Sequence, residues 1–453
     1  MSARLAVVVF LLAATALRLV LAAHGTLAPD EAYYHLWSKH LDYSYFSKGP
    51  GVAVAIWAGT QLFGDTELGV RLFSPLLALG TSLLVFWLTR RLFDEGSALW
   101  AVLLLNATPI FNAGAVLMTI DPLSIFFWAA ALAALWKAFG NPAGYAPWWW
   151  LLAGLLTGLG FLAKYTNAML LLSVLLFALL SPAHRVALRR PGVYLMLLVC
   201  ALCTTPVIVW NAARDWITVS HLQARGRLDE AFSLDFAELA EFVALHFGVY
   251  SPLLCLGIVL AAVWAWPLCR RRVEVLFLMV FGLPLVALYC LLSLKETGEA
   301  NWTAPAFVSL GILAAGLWVR RVRERERGRG LAVFALAALA LGFLMSALLL
   351  NTDLARMAGI PWPYANDPSG RLKAWRTTAE EVQRVRERFE AAHGERVFLI
   401  GDNYGMAAAL SFYLPAKRRE GPGHPPVYIP ESQNIENQFS FWPRYDEFVL
   451  GLE

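Results

Sequence analysis

Residues 4–37 read RLAVVVFLLAATALRLVLAAHGTLAPDEAYYHLW. The apolar run over 4–23, behind Arg4, is long enough to cross roughly 30 Å of hydrocarbon. It is also long for the core of a cleaved leader, and more apolar runs follow it. It therefore reads as a first transmembrane helix rather than a leader ending near Ala22-Ala23. Asp30-Glu31 come just after it, behind Pro29. A first span would thus deliver two adjacent carboxylates to the surface of a bilayer.

Further apolar spans follow at about 69–89, 97–117, 122–139, 148–163, 165–181, 193–210, 246–267, 274–294, 303–319 and 331–350, giving about eleven helices in all. Composition agrees: 58% of residues are hydrophobic and 15% charged, where a soluble domain carries about 25% charged residues. The expected fold is an all-α polytopic membrane domain over 1–350, with a polar, aromatic loop at 24–68.

Basic residues orient the bundle. With the N-terminus in the cytoplasm, the inner loops hold Arg90-Arg91, Lys137, Arg185 with Arg189-Arg190, and Arg270-Arg271-Arg272. The last inner cluster is Arg320-Arg321, Arg323, Arg325, Arg327 and Arg329. This is the distribution that the positive-inside rule requires. The same count places loop 24–68, the turns at 118–121, 164–165 and 295–302, loop 211–245 and the tail outside a plasma (inner) membrane. The net charge of +4 lies in short loops, not on one face, which argues against a nucleic-acid partner.

The tail, 351–453, is more polar. Helical spacing over 371–393, a short strand at Val397–Ile400, a helix at 404–414 and a second strand at Val427–Ile429 predict a small extracytoplasmic α/β domain. The five cysteines, Cys200, Cys203, Cys255, Cys269 and Cys290, lie in or at the ends of apolar spans and read as packing residues. Cys200 and Cys203 have C-x-x-C spacing, but no second pair or His cluster completes a zinc site. No internal repeat, Walker loop or G-x-S-x-G is present.

Polar groups on the expected outer side need a reason. Asp30 and Glu31 share their loop with Tyr33, Tyr34, Tyr45 and Lys48. An interfacial belt would explain the aromatics and a snorkelling lysine. The chemical alternative makes a carboxylate the general base for a hydroxyl, and the lysine the cation that stabilises a departing phosphate. Asp121, before Pro122, suits the first turn of a helix, where it would complement the dipole, or else faces the same cavity as Asp30. Lys164 lies between two spans, and a lysine at membrane depth is a functional candidate by default. The turn containing Lys295, Glu299 and Asn301 is dense in polar groups and could line that cavity. Asn301-Trp302-Thr303 also matches a glycosylation sequon, and His246 opens a span as a structural histidine.

Taken together, Asp30-Glu31-Ala32-Tyr33-Tyr34, Tyr45-Phe46-Ser47-Lys48-Gly49-Pro50, Ile120-Asp121-Pro122 and Gly160-Phe161-Leu162-Ala163-Lys164 resemble the motifs of family 39-type glycosyltransferases of the GT-C membrane superfamily. The likeness covers about residues 5–320. That group includes protein O-mannosyltransferases, lipid A aminoarabinose transferases and RgtA/B/C/D-like enzymes. The resemblance implies a polyprenyl-phosphate sugar donor and inverting transfer outside the cytoplasm to lipid A or lipopolysaccharide, another glycan or glycolipid, or a protein. It implies Asp30 as base or acceptor-binding acid, Asp121 as second acid, and Lys48 and Lys164 on the lipid phosphate. Glu31 would orient Asp30 or help hold a divalent metal, which the resemblance leaves open. Lys48-Gly49-Pro50 and Lys164-Tyr165 depart from the aminoarabinose-transferase strings and lean towards the RgtA/B/C/D-like branch.

The competing reading is a transporter or flippase of lipid-linked sugars. It would need polar residues along the inner halves of several spans. These are apolar, which favours the enzyme.

Overall fold

The computed structural model describes residues 3–140, 146–227, 234–324, 328–361, 363 and 367–446. Arg325 and Arg327 of the last basic cluster lie outside them. Among the described residues, seven helices are long and apolar enough to cross a membrane: Ala3–His24, Glu67–Leu92, Ile120–Phe139, Pro191–Ala212, Val273–Leu292, Ala300–Glu324 and Gly328–Leu350. Phe236–Val249 and Pro252–Leu268, bent by 113°, make an eighth if they form one span. The expected spans at 148–163 and 165–181 fall on the shorter apolar helices Pro147–Ala163 and Tyr165–Leu180. The span expected at 97–117 is split into Glu95–Ala107 and Pro109–Gly114. Pro109 explains the break, because it lacks the N–H that would continue the ladder and disfavours helical geometry at Thr108.

Burial separates centre from rim. In Ala300–Glu324 and Ile120–Phe139, 89% and 72% of the apolar window is buried, against 28% in Ala3–His24, Pro191–Ala212 and Gly328–Leu350. The first two are the central posts, and the other three present apolar side chains outward, as lipid-facing helices do. The first helix is not wholly apolar. Its Arg18 is buried and donates through Nη2 to the amide oxygens of Asn106 (2.8 Å) and Asn112 (2.7 Å), with Phe111 beneath the guanidinium. These bonds span the break at Thr108.

Loop 24–68 is mostly helical. We label α1 Pro29–Lys39, α2 Gly51–Phe63 and α3 Glu67–Arg71. The tail contributes α4 Trp375–His393 and α5 Tyr404–Tyr413. The buried face of α4 runs through Ala379, Gln383 and Arg386, while Val385 and Phe389 stay exposed. The two expected tail strands meet in a single parallel bridge, Ile400 with Tyr428, among the described residues. Pro425-Pro426 and Pro430 confine the second segment to three residues, too few for a ladder. The tail packs onto α1: Leu27, Tyr33 and Trp37 share one hydrophobic cluster with Ala408, Phe412 and Phe439.

Candidate active site

Helix α1 begins at Pro29, whose ring suits a first turn. Glu31 then folds back to accept from the backbone N–H of Ala28 at 2.8 Å. Its carboxylate is fully buried and receives Arg71 at 2.7 Å (Nε) and 2.5 Å (Nη2), plus the Met118 N–H at 2.8 Å. Arg71, at the end of α3, also donates to the carbonyls of Gly25 (2.7 Å) and Thr26 (2.8 Å). A two-pronged pair with its remaining positions filled is the arrangement in which buried charges are tolerated. This knot ties the first span, α1, α3 and the approach to Asp121. Asp30, one residue earlier in the turn, is exposed and points the other way, into a cavity of about 270 Å³.

Asp121 sits in the first turn of Ile120–Phe139, capped by Thr119. Both its oxygens are engaged, with Lys164 Nζ at 2.6 Å and Asn301 Nδ2 at 2.9 Å. Lys164 Nζ also lies 3.3 Å from the Asn301 carbonyl oxygen. Lys164 occupies an extended residue between Pro147–Ala163 and a short turn at Tyr165–Ala168. Buried Asn167 locks that break by exchanging hydrogen bonds with Ser124 on the Asp121 helix. Lys164, Asp121 and Asn301 therefore form one rigid wall drawn from three distant segments.

Lys48 lines the same cavity. Its loop is closed by the Tyr45 N–H donating to the Lys48 carbonyl at 3.0 Å. Gly49 then touches the backbone at the end of the Lys164-bearing helix. A Cβ there would fall 2.3 Å from the Leu162 oxygen, so only glycine allows this approach. The Lys48 ammonium has no ion pair or hydrogen bond among the described residues. Burial and the nearby Arg225 and Lys164 push its pKa below the ordinary lysine value, against the pull of Asp30 and Asp121.

Tyr33, Tyr34, Glu299 and Asn301 also line the cavity. Three expected members do not. Glu31 is enclosed by Arg71. Tyr45 is buried, stacked on Trp37 at 4.3 Å, with its hydroxyl donating to the Trp37 and His40 carbonyls. Lys295 donates to the Arg227 carbonyl at 3.0 Å and lies outside the lining. His246 bonds Thr303 and the Phe242 carbonyl as a structural histidine does. Among the described residues no three His, Cys, Asp or Glu side chains converge as metal ligands, and Glu31, enclosed by Arg71, is not free to hold one.

The cavity also recruits residues that the motifs did not mark. Arg225 pairs with Glu299 at 2.6 Å and lies over Trp302, and His221 packs on Phe46. An arginine in a loop assigned outside runs against the positive-inside bias, and that was its one sequence signal. Tyr404, Glu436 and Asn437 come from the tail. Nothing in sequence spacing links them to Asp30.

A family model described as dolichyl-phosphate-mannose-protein mannosyltransferase matches residues 47–210. The lipid A galacturonosyltransferase RgtD of Rhizobium johnstonii is 31% identical over 334 residues, covering 72% of this chain and 68% of that one. The chain belongs to the GT-C membrane glycosyltransferases, in their RgtA/ArnT-like branch. An undecaprenyl phosphate-alpha-4-amino-4-deoxy-L-arabinose arabinosyl transferase of Pseudomonas aeruginosa is 28% identical over 348 residues, 72% of this GT-C enzyme but 62% of its own length. The fold matches the crystal structure of ArnT from Cupriavidus metallidurans bound to undecaprenyl phosphate with a TM-score of 0.64 at 17% identity, covering 96% of this chain and 87% of that one. It matches an oligosaccharyltransferase of Archaeoglobus fulgidus at 0.56 with 13% identity, covering 97% of this chain and 64% of that one. As a GT-C glycosyltransferase the chain is an enzyme of a multi-pass membrane fold.

Proposed function

We propose that this glycosyltransferase moves a sugar from a polyprenyl-phosphate donor to a lipid A-type glycolipid at the extracytoplasmic face, with inversion. The observation that carries the donor is Lys48, a cation held in the cavity without a counter-ion among the described residues. A poorly solvated ammonium without a counter-ion is costly, and an anionic ligand relieves that cost. The names of the relatives, which include a lipid A galacturonosyltransferase, support the acceptor class. The inner basic clusters support an N-terminus in the cytoplasm, about eleven crossings, and a tail over 351–453 on the cavity side.

The chemistry follows from which carboxylate is exposed to the cavity. Asp121 is saturated by Lys164 and Asn301 and serves as a fixed wall. Asp30 faces the cavity and takes the proton of the acceptor hydroxyl. The hydroxyl oxygen attacks the anomeric carbon as the bond from that carbon to the phosphate oxygen breaks. The electron pair leaves with the polyprenyl phosphate, whose added negative charge falls beside Lys48, with Lys164 behind it. Tyr33 and Tyr34 supply the aromatic side on which a sugar ring packs.

The test is transfer from radiolabelled polyprenyl-phosphate sugars by purified protein in nanodiscs, with lipid A as acceptor. Galacturonosyl, aminoarabinosyl and neutral hexosyl donors are run side by side. Labelled lipid A is expected from one of them, and none in Asp30→Asn. Transfer to protein or glycan but not to lipid A would overturn the acceptor, and equal rates in Asp30→Asn would remove Asp30 as base.

A further inference from the structure

The tail reaches both catalytic walls at once. Asn437 caps the short turn Gln438–Phe441 by accepting from the Phe439 N–H at 3.0 Å. That places Gln438, 3% exposed, between two segments of the outer loop. Its backbone N–H donates to the Tyr33 hydroxyl at 2.6 Å, and its Oε1 accepts from the Phe46 N–H at 2.8 Å. Phe46 is two residues from Lys48 in the loop that presents the ammonium. Tyr33 is one turn along α1 from Asp30.

The same tail also touches the acid. Asn403 caps α5 by accepting from the Met406 N–H at 3.0 Å. Gly405 then sits against Pro29, where an added Cβ would be 3.0 Å from the proline Cβ. The start of α5 is thereby seated on the start of α1. Tyr404 is left with its ring 4.7 Å from that of Tyr33, and its hydroxyl 3.5 Å from Asp30 Oδ1. That contact is long, as hydrogen bonds to catalytic groups often are before substrate binds.

We infer that the tail is a positioning clamp for the transferase site: Gln438 holds the Phe46–Lys48 loop for the donor phosphate, and Tyr404 holds the Asp30 carboxylate for the acceptor proton. The two act through other residues, so their effects separate. Loss of Gln438 Oε1 leaves the buried Phe46 N–H without its acceptor and loosens the lysine loop, which weakens donor binding. Loss of the Tyr404 hydroxyl removes a donor from the ionised Asp30, which makes that carboxylate easier to protonate. The inference rests on the proposed donor and base, and the experiment keeps the two failures apart.

Binding of polyprenyl phosphate alone, without any sugar, is measured on the full chain in nanodiscs for wild type, Gln438→Leu and Gln438→Glu. About a tenfold weaker Kd is expected for Gln438→Leu, with recovery in Gln438→Glu, which keeps an acceptor oxygen for Phe46. Tyr404→Phe is expected to bind polyprenyl phosphate like wild type. The acid limb of its kcat/KM profile should move to higher pH. Wild-type affinity in Gln438→Leu, or a loss that Gln438→Glu does not restore, overturns the lysine half. An unmoved acid limb in Tyr404→Phe overturns the Asp30 half. If wild type binds polyprenyl phosphate but transfers no sugar, the functional proposal fails while the clamp on the phosphate side is still decided by the Gln438 pair.

Discussion

Two charged regions lie back to back across the first turn of α1, and they are built to opposite rules. On one side, Glu31 and Arg71 bury their charges completely and fill their bonding positions with backbone groups. On the other, Asp30 and Lys48 both line an open cavity. The residue types are the same, an acid and a base from neighbouring segments. What differs is exposure. A carboxylate with both oxygens enclosed by donors holds chains together. One facing a cavity can exchange a proton. Asp121 belongs with the first group by its bonds and with the second by its place, which is why it reads as a wall rather than a base.

The largest expected effects break this contrast directly. Asp30→Asn should lower kcat by about 10²–10⁴-fold, the usual contribution of a positioned general base, with the thermal midpoint unchanged. Glu31→Gln should do the reverse in kind. It strands the Arg71 guanidinium in a buried site, which costs about 3–5 kcal/mol of stability. Adding Arg71→Met to Glu31→Gln should recover much of that loss, because removing both charges also removes the desolvation that the pair repaid. Chemical denaturation of the two single variants and the double, alongside initial rates, checks this. A Glu31→Gln protein as stable as wild type would end the structural assignment of Glu31.

Lys48 sharpens the comparison next. Its folded pKa is lowered, first by burial and then by Arg225 and Lys164. Affinity for polyprenyl phosphate should therefore fall as pH rises through that lowered value, earlier than an ordinary lysine would dictate. The sign for stability is opposite to that of a paired lysine. Below the folded pKa both folded and unfolded chains carry the charge, and folding bears the full penalty of confining it. The penalty lifts as pH rises. Lys48→Met should consequently lose donor binding while its midpoint near neutral pH equals or exceeds that of wild type. A lower midpoint would mean that the ammonium is a structural contact after all.

Much of this was legible in the sequence. Apolar runs marked a multi-pass helical fold, and Asp30, Lys48, Asp121 and Lys164 were conspicuous because each is expensive beside lipid. The fate of each was not legible, because saturation is a property of partners. Glu31 looked like a support for Asp30 or a metal ligand until Arg71, forty positions on, was seen to enclose it. Tyr45 looked like a ligand-binding aromatic until its hydroxyl was found on main-chain carbonyls. Tyr404 and Gln438 reach the site across 374 and 392 positions, and their packing on α1 has no periodic trace. The tail strands failed for a local reason, since prolines on both sides of 427–429 were written in the sequence and outweighed its β-branched and aromatic residues.

The smallest effect tests the line between structure and chemistry where it is thinnest. Tyr45 lies three residues from Lys48, and its pKa is raised by burial, yet its hydroxyl faces Trp37 and His40 rather than the cavity. Tyr45→Phe keeps the ring stacked on Trp37 and removes those two bonds. The two carbonyls lose a shared donor at the end of α1, which amounts to about 1 kcal/mol. The expected result is a slightly lower midpoint, with kcat and donor KM unchanged within error. The neighbouring Tyr34, by contrast, is buried against the cavity wall, and both Asp30 and Asp121 act on its hydroxyl. Tyr34→Phe should raise donor KM or lower kcat at an unchanged midpoint. If the two tyrosine variants behaved alike, the boundary between the knot and the cavity would be drawn in the wrong place.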